Sequence, residues 1–183
     1  MFNHILVAID RSASSQRAFD TALDLAQALN AQLTLVHALD RSDPDSPSQP
    51  YISVDSYSME LDGLLRKDYD YRWAEFVKHY DSLLEQKQEV AAAVGVQARY
   101  LQPNGRPGLA ICTIAKESQV DLIVIGSHSR RGLGEMLLGS VSNYVVHHAP
   151  CPVMVIHPEP QPWPHPLGDS HRNKVLARVD ALG

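Results

Sequence analysis

The chain has 183 residues, of which 44% are hydrophobic and 20% charged, and carries a formal net charge of −5 at pH 7. That length and composition fit one ordinary globular domain with a substantial core and leave little room for a second. The acidic balance excludes an overall electrostatic bias toward nucleic acid or anionic membrane, so any anion site has to be local.

The chain opens "MFNHILVAID", with no basic leader and an apolar run too short for a signal peptide. No run approaches the ~20 apolar residues that span a bilayer. The two cysteines, Cys112 and Cys151, are too few for a disulfide framework and read as packing residues, which points to a reducing, cytoplasmic setting.

Residues 2–9 hold Ile5, Leu6, Val7 and Ile9 nearly contiguously, as in a strand covered on both faces, and Asp10 closes it. A helix follows, with Ala18, Phe19, Ala22, Leu23, Ala26 and Leu29 at helical spacing and Ser12 or Ser14 as its cap. "AQLTLVHAL" is a second strand ending near His37 and Ala38, completing a βαβ unit.

Residues 40–58 are rich in Asp, Ser and Pro and read as a loop insertion, either solvated or serving as a lid. Helical periodicity returns over 59–94, with an aromatic stripe of Tyr69, Trp73, Phe76 and Tyr80 that predicts packing against a sheet. A helix of that length is expected to break or bend.

Gly95 ends that pattern and "VQARYL" is a third strand; "PNGRPG" is turn chemistry. The next helix places Leu109, Ile111, Ile114 and Ala115 inward. "VDLIVIG" and "CPVMVIH" are the fourth and fifth strands. Strands alternating with helices predict an α/β fold with a doubly wound parallel sheet. After residue 158 the chain changes character: "PEPQPWPHP" forces extended geometry, and "SHRNKVLARVDALG" could form a short helix with Val175, Leu176, Val179 and Leu182 on one face.

In such sheets ligands bind beyond the carboxyl ends of the strands, where strand order reverses. The stretch "VIGSHSRRGLGEMLLGSVSNYVV" puts glycines, small hydroxyl residues and two arginines at one strand-to-helix junction. Glycine permits close backbone approach to a phosphate. The helix starting at Gly139-Ser140-Val141 offers free N–H groups, and Arg130 and Arg131 could clamp a polyphosphate. The junction is neither a Walker A loop nor the dinucleotide fingerprint.

The layout resembles the universal stress protein family. Its ATP-binding branch carries Gly, two residues, Gly, nine residues, Gly, then Ser or Thr. Here the spacing is Gly126, Ser127-His128, Ser129, nine residues, Gly139, Ser140, so Ser129 stands where the pattern has its second glycine. "ILVAID", "LTLVHAL", "GRPGLAI", "DLIVIGSH" and "CPVMVIH" carry the resemblance across residues 1–157, and the 40–58 insertion and the 158–183 tail fall outside it.

The resemblance implies a three-layer sandwich around a five-stranded parallel sheet, Rossmann-like, of the adenine nucleotide α-hydrolase-like type. It implies a role in stress response or signalling, with ATP, or AMP or cyclic AMP, as ligand. Ala8, Ile9 and Asp10 would meet the adenosine moiety and Ala38 the adenine. Gly126, Ser127, Ser129, Arg130, Gly139, Ser140 and Val141 would hold the phosphates. Magnesium or manganese would bind through phosphate oxygens, since no carboxylate stands at a ligating spacing. A homodimer through the last strand, residues 152–157, would cover an apolar edge.

His128 and Glu135 lie in the loop, but any ATP hydrolysis would be slow. His147 and His148 point about 100° apart on a helix and cannot chelate together. The alternative is a dimeric adaptor of the same fold that binds no nucleotide, its loop having decayed at Ser129. A ligase or pyrophosphatase of the wider class would carry "HxGH" or "SGGxDS" where this chain has "AIDRSASS". No basic stripe for nucleic acid is visible, and the signalling partner is not legible.

Overall fold

Five short strands carry the fold in a computed structural model that describes residues 2–43, 45–50, 59–127 and 138–157. In chain order the elements are β1 (His4–Ala8), α1 (Ala13–Leu29), β2 (Gln32–Val36), α2 (Met59–Ala93), β3 (Ala98–Leu101), α3 (Pro107–Glu117), β4 (Leu122–Gly126), α4 (Ser140–His148) and β5 (Val153–Ile156). The strands pair in parallel in the order β3-β2-β1-β4-β5. The chain builds outward from β1 to β3, then returns to β1's other side with β4, so strand order reverses between β1 and β4.

Alternation along the strands separates two cores. Ile5, Val7, Leu33, Leu35, Leu122 and Val124 face one layer, where they pack with Ala18, Phe19 and Ala22 of α1 and Leu84 and Ala91 of α2. Leu6, Val36, Ile123 and Ile125 face the other, against Ile111, Ile114 and Ala115 of α3 and Val145 of α4. Because both faces are covered, the central strands read as unbroken apolar runs. Leu109 departs from the expected inward set: it lies at the start of α3 and is 54% exposed.

The chain's local chemistry fixes the ends of these elements. Ser12 caps α1, its Oγ accepting from the Ser15 N–H at 3.1 Å. Asn30 ends the helix in the left-handed region at φ 53°, its N–H bonded to the Ala26 carbonyl. The Asp121 carboxylate accepts from the Asn3 and His4 N–H groups at 2.8 and 3.0 Å, tying the start of β1 to β4. Those two donors hold its pKa below the usual value.

The expected break in the long helix does not occur: α2 is one helix of 35 residues. Its periodicity was a true signal, and neither glycine nor proline interrupts it after Gly63. The aromatic stripe divides. Phe76 and Tyr80 are buried with Leu39 in a third small core, while Trp73 packs at its margin. No helix among the described residues is long and apolar enough to cross a membrane.

Candidate functional site

β1 ends at Ala8, so Ile9 and Asp10 continue past it onto the C-terminal edge of the sheet. The Ile9 N–H still donates to the Val36 carbonyl at 2.8 Å, holding this extension against β2. Asp10 then sits in a net of serines. Its Oδ1 accepts from the Ser12 N–H at 2.8 Å and from the Ser12 hydroxyl at 2.5 Å. Its own N–H donates to Ser15 Oγ at 2.9 Å, and Ser15 Oγ donates to the Ala8 carbonyl at 3.3 Å. The residue that caps α1 therefore also orients the Asp10 carboxylate.

His37 and Ala38 lie just beyond β2. His37 is buried, and its Nδ1–H donates to the Ile9 carbonyl at 2.8 Å, which fixes the tautomer. Its ring stacks on Tyr80 with centroids 3.5 Å apart and planes 9° from parallel. α2 thus braces the turn that presents Ala38.

On the other side of the switch point, Gly126 ends β4. A Cβ there would lie 2.7 Å from Ser14 Oγ and 2.9 Å from the Ser14 carbonyl carbon and the Ser15 nitrogen. Glycine lets β4 approach the start of α1 to that distance. Ser127 is fully buried, and its N–H donates to the Ile156 carbonyl at 2.8 Å. Its carbonyl accepts from the Gly139 N–H at 2.7 Å and from the Ser142 hydroxyl at 3.0 Å. These bonds pin together the two ends of the glycine-rich loop.

α4 starts at Ser140 with Gly139 as its N-cap, and no side chain caps it. The first N–H groups of such a helix lack internal acceptors and carry the positive end of the helix dipole. An anion is the natural partner for them.

These pieces line one cleft of about 800 Å³. Ala8, Ile9, Asp10, Ala38, Gly126, Ser127, Gly139, Ser140 and Val141, all expected from the sequence, are brought together in it. Ser129 and Arg130 lie outside the described residues, as do Arg131, His128 and Glu135. The cleft's apolar wall comes from Val36, Pro107, Ile111 and Ile125, and its polar wall includes Ser12, Ser15 and Ser142. Val36, Pro107, Ile111 and Ile125 were legible only as strand, turn or core positions and Ser12 as a cap, while Ser15 and Ser142 carried no individual signal.

The insertion contributes as well: Asp40, Ser42, Asp43 and Asp45 line the cleft. A bridge between Leu39 and Asn104 and the donation of the Leu39 N–H to the Pro103 carbonyl at 2.8 Å lead the chain into this segment. Asp-rich composition reads as either a solvated loop or a lid, and which of its residues face the cleft has no signal beyond the segment's position directly after β2. Among the described residues no cluster of three His, Cys, Asp or Glu side chains has metal-binding geometry. His148 instead stacks on Tyr144, with centroids 4.1 Å apart, and its Nδ1–H donates to the Tyr144 carbonyl at 2.8 Å.

A parallel sheet of order 3-2-1-4-5, with a glycine-rich junction and an uncapped helix start at its switch point, defines a Rossmann-like α/β fold. The chain belongs to the universal stress protein family, whose profile matches residues 1–157. It is 37% identical over 159 residues to the universal stress protein YxiE of Bacillus subtilis, an alignment covering 85% of this chain and 99% of that one. The structure of the universal stress protein UspA from Lactobacillus plantarum superposes with a TM-score of 0.64 at 30% identity, covering 85% of this chain and 97% of the other. The fold is also shared with a universal stress protein family member from Arabidopsis thaliana solved with AMP bound. That match has a TM-score of 0.55 at 23% identity and covers 90% and 97% of the two chains.

Proposed function

We propose that this universal stress protein binds an adenine nucleotide in the cleft and acts in stress response or signalling according to its nucleotide state. The observation that carries the reading is the convergence of Asp10, Ala38 and the uncapped Gly139-Ser140-Val141 helix start on one cleft. A base fits the apolar wall around Val36, Ala38 and Ile111. The ribose hydroxyls are donors suited to the serine-braced Asp10 carboxylate, and phosphates suit the α4 amides. The AMP bound by the Arabidopsis relative supports a mononucleotide of this class.

Magnesium or manganese would enter with ATP through its phosphate oxygens, because the described side chains offer no cation cage. We further propose a homodimer through β5, an edge strand whose four residues are all only partly buried. Antiparallel pairing with a twin would satisfy its open hydrogen-bonding edge.

The test is titration calorimetry on protein stripped of copurified nucleotide, with Mg-ATP, AMP and cyclic AMP, repeated on Gly139→Val. Binding to at least one nucleotide, lost in the variant while its unfolding midpoint is kept, is the expected result. No heat with any of the three would favour the alternative, an adaptor of the same fold whose loop no longer holds a ligand.

A further inference from the structure

α2 is much longer than the sheet it serves. Its 35 residues extend about 52 Å at ~1.5 Å per residue, whereas the 4 residues of β3 cover about 13 Å. Buried positions in α2 begin at Phe76 and recur at Tyr80, Leu84, Lys87 and Ala91. From Glu60 to Arg72 no residue is buried. α2 leaves the end of β2 and returns to the start of the parallel β3, so this unburied half stands past the strands' C-terminal ends.

The overhang has an apolar face of its own. Leu61, Leu64 and Leu65 are 55%, 64% and 37% exposed. At ~100° per residue they share a sector of about 100°, roughly a quarter turn from the Phe76, Tyr80 and Leu84 stripe. Leu61 and Leu64 would miss the sheet even if it reached that far, whereas Leu65 lies within about 20° of the Phe76 direction. The neighbouring flank is occupied by Arg41, whose guanidinium lies 5.8 Å from the Tyr69 ring centre and 5.3 Å from that of Trp73.

We infer that this leucine face is the docking site of the chain's own C-terminal segment, residues 170–182. The segment's apolar residues, Val175, Leu176, Val179 and Leu182, fall on one side at helical spacing. At that length a helix is marginal in water and needs a surface to form on.

Charge matches too. On the overhang Glu60, Asp62, Asp68 and Asp70 face Arg66, Lys67 and Arg72, with Arg72 already paired to Asp68 at 2.6 Å, so the excess is one negative charge, while Arg172, Lys174 and Arg178 outnumber Asp180 on the segment. Reach is sufficient. The tail departs from His157, whose carbonyl accepts from Arg17 Nη1 of α1 at 3.0 Å, on the same side of the sheet as α2. From β5 to β3 are four strand spacings, about 19 Å. A segment as proline-rich as residues 158–166 would reach about 28 Å if extended at ~3.1 Å per residue.

Limited trypsin digestion of the full chain tests this, because Arg172, Lys174 and Arg178 are cleavage sites within the segment. Cleavage there, followed by mass spectrometry, should be about tenfold slower in the wild type than in Leu61→Glu/Leu64→Glu, since proteolysis tracks the undocked population. Both leucines are exposed, so the variant's circular-dichroism melt should match the wild type. Val175→Glu/Leu176→Glu should accelerate cleavage equally, and combining the two pairs should add nothing. Equal cleavage in wild type and variants would overturn the inference. So would protection that survives loss of the leucines, or protection that rises with protein concentration and so comes from a second copy.

Discussion

His37 lies flat against Tyr80, 3.5 Å from ring centre to ring centre, so the turn at the end of β2 is held by a side chain from the middle of α2. Tyr80 is 1% exposed, and Phe76 meets it edge-on at 5.1 Å. Removing the ring leaves a cavity that neither partner can fill. Tyr80→Ala should lose about 3–5 kcal/mol in denaturant unfolding. Tyr80→Phe keeps the stack and should lose much less. If Ala38 meets the base as proposed, Tyr80→Ala should also weaken nucleotide binding at temperatures where it is still folded.

Gly126 and Gly139 stand at opposite ends of one loop but do different work. A methyl at Gly126 would press on the backbone of Ser14 and Ser15, which cannot swing aside as a side-chain tip can. Gly126→Ala should therefore cost about 1–3 kcal/mol of stability. By displacing the start of α1 it would also disturb Ser12 and Ser15, which orient Asp10. Gly139→Val should instead reduce binding with little change in unfolding. Calorimetry and thermal melts on the two variants separate these effects.

A polar chain centred on the buried His4 and Thr34 makes the fold sensitive to acid. Arg99 Nε–H donates to Thr34 Oγ1 at 3.1 Å; the Thr34 hydroxyl meets His4 Nε2 at 2.7 Å; His4 Nδ1–H donates to the Ser118 carbonyl at 3.1 Å. This arrangement needs a neutral imidazole whose Nε2 accepts. Burial, then the nearby Arg99 charge, lowers the His4 pKa from its ordinary 6.5. The unfolded chain thus takes up a proton at higher pH than the folded one. Stability from this site is fully present above the ordinary histidine value and is lost as pH falls below it toward the lowered one. Urea unfolding at pH 7.5 and 5.5 should show a drop in the wild type that is smaller in His4→Gln.

The sequence told much of this because the central strands are covered on both faces and so read as continuous apolar runs. Asp10, Ala38, Gly126 and Gly139 were legible for a second reason: all sit at strand ends or helix starts, where spacing constrains them. The overhang of α2 was not. Leu61, Leu64 and Leu65 have the same periodicity as Phe76, Tyr80 and Leu84, and periodicity reports that a helix forms, not that it has a neighbour. Leu109 failed similarly: it lies one turn from the buried Cys112 yet is 54% exposed. Asp40, Asp43 and Asp45 were hidden because a polar loop looks alike whether it turns to solvent or lines a cleft.

Lys87 is the one charged residue in the buried stripe of α2, 6% exposed. Its Nζ donates to Gln16 Oε1 at 2.6 Å and sits 4.3 Å from the centre of the Phe19 ring. Gln16 in turn donates to Asp20 at 2.8 Å. Burial lowers the Lys87 pKa, with Asp20 opposing it more weakly. Burying this cation therefore works against folding at neutral pH. Because the unfolded chain keeps its proton up to higher pH, wild-type stability should rise between the lowered pKa and the ordinary 10.5. Lys87→Met keeps the length of the side chain and removes the charge, and Gln16 is exposed enough to turn to water. The variant should be more stable than the wild type by about 1 kcal/mol at pH 7 in urea unfolding. The gap should narrow as pH approaches 10. A constant gap would mean that packing around Phe19, not the buried charge, sets the difference, and a destabilised variant would mean that the contacts of Nζ outweigh its desolvation.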